Sequence, residues 1–181
     1  MSSLLANAGI PMIFWQLPAA AVIFLPVVLA ESLIALPILK QPFVPIFLRV
    51  GAANALSTFV GLPVAWIGMV IVNIATTGGR AHDFETPWGA FQSIVLQASW
   101  LVPHEGQMLW LIPAATLVLL VPYFFTSVFV ERWLMRRLFS HVDQGKIRRV
   151  AWAANGVTYS GLAAYTAYWL MRALAGGTVA A

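Results

Sequence analysis

Two carboxylates, Glu31 and Glu131, stand in apolar surroundings where a charge is expensive, and their type and placement suit ion chemistry. Each lies near one end of a long apolar run. An ionisable side chain within a bilayer is costly and is usually paired or functional. Acting together, the two would form a proton or cation site. The competing reading puts each at the membrane surface, paired with a basic residue of the neighbouring loop, where Arg49, Arg148 and Arg149 are in reach. That surface reading is the default. Glu31 is the better candidate for a site, because no cation separates it from Lys40.

Asn54 and Asn155 form the second polar pair, each near the cytoplasmic third of an apolar run. Asparagine inside a bilayer hydrogen-bonds between helices and contributes about 1 kcal/mol. Packing is the default role, and ligand binding the alternative. A third group, His82, Asp83, Glu85, His104 and Glu105, lies in an irregular polar stretch. Zinc accepts His and carboxylate ligands in fours. No metal-binding spacing such as His-Glu-x-x-His occurs among these residues, so solvated loop residues are the default, and a metal site or an outer-face enzyme centre the alternative.

Other chemistries are excluded by what is missing. The chain has no cysteine, which rules out disulfides, thiolate zinc sites, iron–sulfur clusters and cysteine nucleophiles. No Ser/His/Asp set, Gly-rich phosphate loop or nucleotide fingerprint is present. All three histidines fall outside the apolar runs, against buried haem ligation. No catalytic residue, cofactor or metal is assigned, and an enzyme is not the expected class.

The elements that must hold these residues are membrane spans. Of 181 residues, 61% are hydrophobic and 9% charged, against roughly 25% charged in soluble domains. A soluble fold of this size cannot hide that much apolar surface. A spanning helix needs about 20 mostly apolar residues. Four segments qualify: 11–39, 47–75, 108–130 and 150–171. The first contains Pro18, Pro26 and Pro37 and should bend. The second carries Gly51, Ser57, Gly61 and Gly68, which let backbones approach and mark it as central to a bundle. The third ends at Glu131 and should face lipid over much of its girth. Val28-Leu29-Ala30 faintly resembles a signal-peptidase site, but the apolar run continues past it, so an uncleaved first helix is expected.

Loop charge sets the orientation. Loops 40–49 and 131–149 hold eight Lys and Arg, whereas the loop 76–107 holds only Arg80. Lys and Arg favour the cytoplasmic side. Both short loops are therefore placed inside and both termini outside, with a bacterial inner membrane as the expected location. The basic residues sit at span ends and suit lipid headgroups; nucleic acid is not an expected partner. Gly145 is expected to make the turn of the second basic loop.

Within the outer loop, Thr86 suits a helix cap and Pro87 a first helical position. Residues 87–102 then read as an amphipathic helix lying on the outer leaflet, with Trp88 and Trp100 at the interface. A re-entrant lid and a partner-docking surface are the alternatives.

A faint duplication runs through the chain. A shift of 100 residues matches Glu31 with Glu131, Arg49 with Arg149, Ala53 with Ala153, Thr58 with Thr158 and Gly61 with Gly161. One inserted residue also brings Asn54 onto Asn155. Chance alignment of apolar sequence is the alternative. The expected fold is all-α: a polytopic four-helix membrane bundle in one domain over residues 1–181, built from two parallel-repeat hairpins if the duplication is real.

Three functions compete. The leading expectation is a non-catalytic accessory, assembly or scaffold subunit of a membrane complex, with other membrane subunits, further copies of itself and lipids as partners. The alternative is a small oligomeric transporter or channel using Glu31, Asn54 and Asn155, which requires Glu31 inside the bundle. The third is a membrane enzyme at the outer-face cluster.

Overall fold

The computed structural model describes residues 10–78, 86–92, 94–95, 101–102 and 110–177. Four long helices account for most of them: α1 (Met12–Leu39), α2 (Phe43–Thr77), α4 (Leu111–Leu138) and α5 (Gln144–Gly177). A short helix α3 (Pro87–Gln92) lies between α2 and α4. The dipeptides β1 (Ile10–Pro11) and β2 (Leu101–Val102) pair in antiparallel fashion.

Three helices are long and apolar enough to cross a membrane, over Leu17–Leu39, Phe43–Thr76 and Leu111–Leu138. Helix α5 has 34 residues but is less apolar than those three. Helix α1 continues through Pro18, Pro26 and Pro37, and α2 through Pro63. The expected end of the third helix at Glu131 is corrected: α4 runs on for two more turns to Leu138, and Glu131 is interior to it. The basic loops shrink accordingly, from 40–49 to 40–42 and from 131–149 to 139–143.

Each short connection has its own device. Lys40 ends α1 with φ of 54°, a left-handed conformation normally left to glycine, and its N–H donates to Leu36 O at 3.0 Å. Asp143 caps α5, its Oδ1 accepting from Lys146 N at 3.1 Å. Gly145 therefore lies in the first turn of α5 and is not the turn residue the sequence suggested. In α3, Thr86 Oγ1 accepts from Gly89 N at 2.9 Å, the cap expected of it. The proposed helix 87–102 does not reach its predicted end, because Leu101 and Val102 spend their backbone groups on Pro11 and Ile10.

The chain divides into two compact units. The first combines residues 1–17, 64–120 and 163–181; its buried positions include Asn73, Ala65, Leu111, Ala115 and Leu119. The second combines 18–63 and 121–162, two helical hairpins joined through their own core. That core takes Ala35, Leu39, Ile46 and Ala53 from one hairpin and Met135, Phe139, Ile147 and Ala154 from the other. These residues match in pairs, 100 positions apart before the connection and 101 after it. Within this unit α4 is one-sided: Val121, Phe125, Phe129 and Trp133 form an exposed line at four-residue spacing, while Ser127, Val128, Glu131 and Met135 are buried. Gly51 and Gly61 sit at ordinary contact distance from Val28 and Thr126, where a Cβ would fit at 3.5 and 3.6 Å, and nothing lies within 4 Å of a Cβ at Gly68.

Candidate functional site

Glu31 and Glu131 are both interior to the second unit, each 2% exposed. Helix α1 brings Glu31 inward on the face of Val28 and Ala35, and α4 brings Glu131 inward on the face of Val128 and Met135. Each carboxylate meets two neutral donors. Asn54 Nδ2 donates to Glu31 Oε2 at 2.6 Å, and Thr158 Oγ1 lies 2.9 Å from Glu31 Oε1. Asn155 Nδ2 donates to Glu131 Oε2 at 2.7 Å, and Ser57 Oγ lies 2.9 Å from Glu131 Oε1.

The pattern is crossed. Every carboxylate takes its amide from the other helix of its own hairpin and its hydroxyl from the opposite hairpin. Asn54 and Ser57 are one turn apart on α2, as are Asn155 and Thr158 on α5, so paired Cβ atoms stand about 5–6 Å apart. The order is reversed between the two helices: on α2 the earlier residue, Asn54, serves Glu31, and on α5 the earlier residue, Asn155, serves Glu131.

The donors are locked from behind. Asn54 Nδ2 also donates to Val50 O at 3.2 Å, and Asn155 Nδ2 to Ala151 O at 3.0 Å. Because a carbonyl only accepts, this second bond fixes each amide with its nitrogen toward the carboxylate. Asn155 Oδ1 is left buried without a partner. Beside the pair, Tyr159 and Ser127 share a 2.8 Å hydroxyl–hydroxyl bond, and Tyr159 packs edge-on to Phe124.

The default reading of the two glutamates, surface residues paired with arginine, is therefore replaced. Arg49 lies over the Phe139 ring at 4.6 Å, and Arg148 and Arg149 are exposed at the start of α5. No ion pair to either carboxylate is found among the described residues; neutral amides and hydroxyls hold both.

The structure places all four polar residues that stand out in the sequence, Glu31, Asn54, Glu131 and Asn155, in the two clusters, and adds Ser57 and Thr158. Thr158 entered the repeat matched to Thr58, but its counterpart in bonding is Ser57. The signal was present: with the one-residue insertion, both halves read Asn-x-x-Ser/Thr, at 54–57 and 155–158. His82, Asp83, Glu85, His104 and Glu105 lie outside the described residues. No cluster of three or more metal-ligating side chains occurs among the described residues.

Compared with protein-family models, curated proteins and solved structures, the chain matches none.

Proposed function

We propose that this chain is a multi-pass membrane protein that moves a cation through the bilayer, with Glu31 and Glu131 as its binding pair. The observation that carries this reading is two buried carboxylates, both bonded to α2 and α5 and held only by neutral groups. Two like charges in a medium of low dielectric repel strongly, so the pair calls for a cation between or upon them. A fastening alone needs no ionisable group, since Gln could accept from the Asn amide through its oxygen and donate to the hydroxyl through its nitrogen. A charged residue at mid-bilayer costs about 3 kcal/mol on insertion scales, a cost that a purely structural role does not call for.

In this reading α5 is the fourth span, its polar residues drawn inward by the site. The hairpins 18–63 and 121–162 are duplicates in the same orientation, related about an axis along the membrane normal. Matched core positions and the crossed bonding support this. The connections 40–42 and 139–143 face the cytoplasm of a bacterial inner membrane, and both termini and the segment before α4 face outward, as the Lys/Arg bias supports. Helix α3, with Trp88 exposed, rests at the outer interface. Four helices rarely enclose a path alone, so the working form is an oligomer.

The test is flux in proteoliposomes under separate proton, sodium and potassium gradients. Cation flux is expected from the wild type and its loss from Glu31→Gln and Glu131→Gln. No flux, or flux indifferent to both changes, overturns the reading.

A second reading keeps the accessory subunit. The same cluster ties four helices together, with both amide hydrogens of Asn54 and of Asn155 satisfied, as a fastening would have them. Mass analysis of the intact particle after gentle extraction separates the two. A heteromeric particle that still assembles with both glutamates changed to Gln favours the subunit.

A further inference from the structure

We propose that the ligand of this pair is the proton, and that Ser57 and Thr158 are hydroxyl switches that let each carboxyl take it up at Oε1 without movement of any heavy atom. The inference rests on the reading of Glu31 and Glu131 as a cation site and names the cation.

Each hydroxyl has one hydrogen to give and two lone pairs to receive. Thr158 Oγ1 stands 2.9 Å from Glu31 Oε1 and 3.1 Å from Ala154 O in its own helix. Ser57 Oγ stands 2.9 Å from Glu131 Oε1 and 3.1 Å from Asn54 O. Toward an ionised carboxylate, the hydroxyl donates. When the carboxylate takes a proton at Oε1, an O–H bond forms there. The hydroxyl then turns its hydrogen to the backbone carbonyl and accepts the acid hydrogen on a lone pair. Release reverses both rotations and returns one proton to water. Oε2 does not suit the proton, because each amide is locked with its N–H toward that oxygen.

The same amides disfavour a metal ion. Sodium or potassium would need several oxygens turned inward, whereas two N–H groups aim at the carboxylates and Asn155 Oδ1 makes no bond to them. The charged and titratable groups on the surrounding helices leave the pair to itself. On α2, Arg49 lies over Phe139. On α4, Arg132 Nε is buried without a partner and donates to neither carboxylate. On α5, the Tyr159 hydroxyl is bonded to Ser127. Helix α1 brings no titratable group but Glu31 itself within its described length.

The experiment is infrared difference spectroscopy of the full chain in lipid nanodiscs, titrated with acid at fixed sodium and again at fixed pH with sodium varied. A carboxylic C=O band is expected on acidification, with part of it lost in Glu31→Gln and part in Glu131→Gln. The band should move to higher frequency in Thr158→Val and Ser57→Ala, where the acid loses its acceptor, and stay in place in Thr158→Ser. Sodium that removes the band at fixed pH overturns the proton assignment while leaving a cation site. A band untouched by both Gln changes, or unmoved in both hydroxyl-deleting variants, overturns the switch. A band that behaves as expected in a chain without flux leaves the proton site standing and sinks transport.

Discussion

Glu31 and Thr158 stand 127 positions apart in the chain and are joined by a 2.9 Å hydrogen bond. Glu131 and Ser57 repeat that bond in the other direction, also at 2.9 Å. Each hairpin thus supplies the hydroxyl that its counterpart's carboxylate needs, and neither polar site is complete without the other hairpin. In lipid there is no hydrophobic force to drive helices together, so packing and such bonds carry the association.

Crossed bonding makes a specific prediction for double-mutant cycles. Glu31→Gln with Thr158→Val, and Glu131→Gln with Ser57→Ala, should each show a coupling of about 0.5–1.5 kcal/mol in unfolding from detergent. The uncrossed combinations, Glu31 with Ser57 and Glu131 with Thr158, should couple more weakly. Equal coupling in all four combinations would mean that the cluster acts as one undivided network.

The size and the charge of the buried carboxyl should separate in stability measurements. Glu131→Gln keeps the volume and the acceptor oxygen, so a change within about 1 kcal/mol is expected. Glu131→Ala leaves a cavity and strands the donors of Asn155 and Ser57, and should cost about 3 kcal/mol. Thermal unfolding of both variants checks this. A Gln variant as unstable as the Ala variant would show that the carboxylate charge itself holds the fold.

The polar skeleton of this arrangement was legible from the sequence because intramembrane polar residues are few. Glu31, Glu131, Asn54 and Asn155 stand out against apolar runs, and periodicity was not needed to find them. Their partners were harder to read. Both glutamates lie on helices that run into basic connections, which suggests pairing with Arg49, Arg148 or Arg149, but Arg49 lies over Phe139 and the other two are exposed. Ser57 was hidden by an ungapped match of Thr58 to Thr158. Relative to the first hairpin, α4 ends one position earlier and α5 begins one position later, so the connection is two residues longer, 139–143 against 40–42, while the register of matched core residues passes from 100 before it to 101 after it. A charged residue does not stop these helices: α4 runs through Glu131 and α5 begins before Arg148 and Arg149. Glu131 is accommodated by neutral donors, and Arg136 and Arg137 lie on the last exposed turn of α4, with Arg136 Nε donating to Gln144 and Arg137 over the Trp133 ring.

The two connections between hairpin helices are strained and tight in opposite ways, which substitution should expose. Lys40 holds φ of 54°, so Lys40→Gly should stabilise by about 1 kcal/mol. Gly145 carries the reverse constraint: a Cβ there would come within 2.9 Å of Asp143 Oδ1, the atom that caps α5. Gly145→Ala should therefore cost about 1 kcal/mol through the weakened cap. Gly156→Ala, with nothing within 4 Å of the added methyl, serves as the control and should gain about 0.5–1 kcal/mol. Melting temperatures of the three variants decide the matter, and a destabilised Lys40→Gly would refute the account of the first connection.

Orientation can be read by labelling, because the chain has no cysteine of its own. Single cysteines at Gln41 and His141 lie in the two short connections, and one at Gly78 lies just beyond the end of α2. Two hairpins of the same orientation require Gln41→Cys and His141→Cys to react from the same face of the membrane, and Gly78→Cys from the opposite one. A membrane-impermeant maleimide applied to intact cells should label only the cysteine at 78, and labelling at 41 and 141 should appear once the membrane is opened. Should 41 and 141 react from opposite faces, α2 and α4 cannot both span, the hairpins cannot be parallel repeats, and the crossed carboxylate pair would need another explanation. Should they share a face but react in intact cells, the hairpins stand and only the placement from the Lys/Arg bias is reversed.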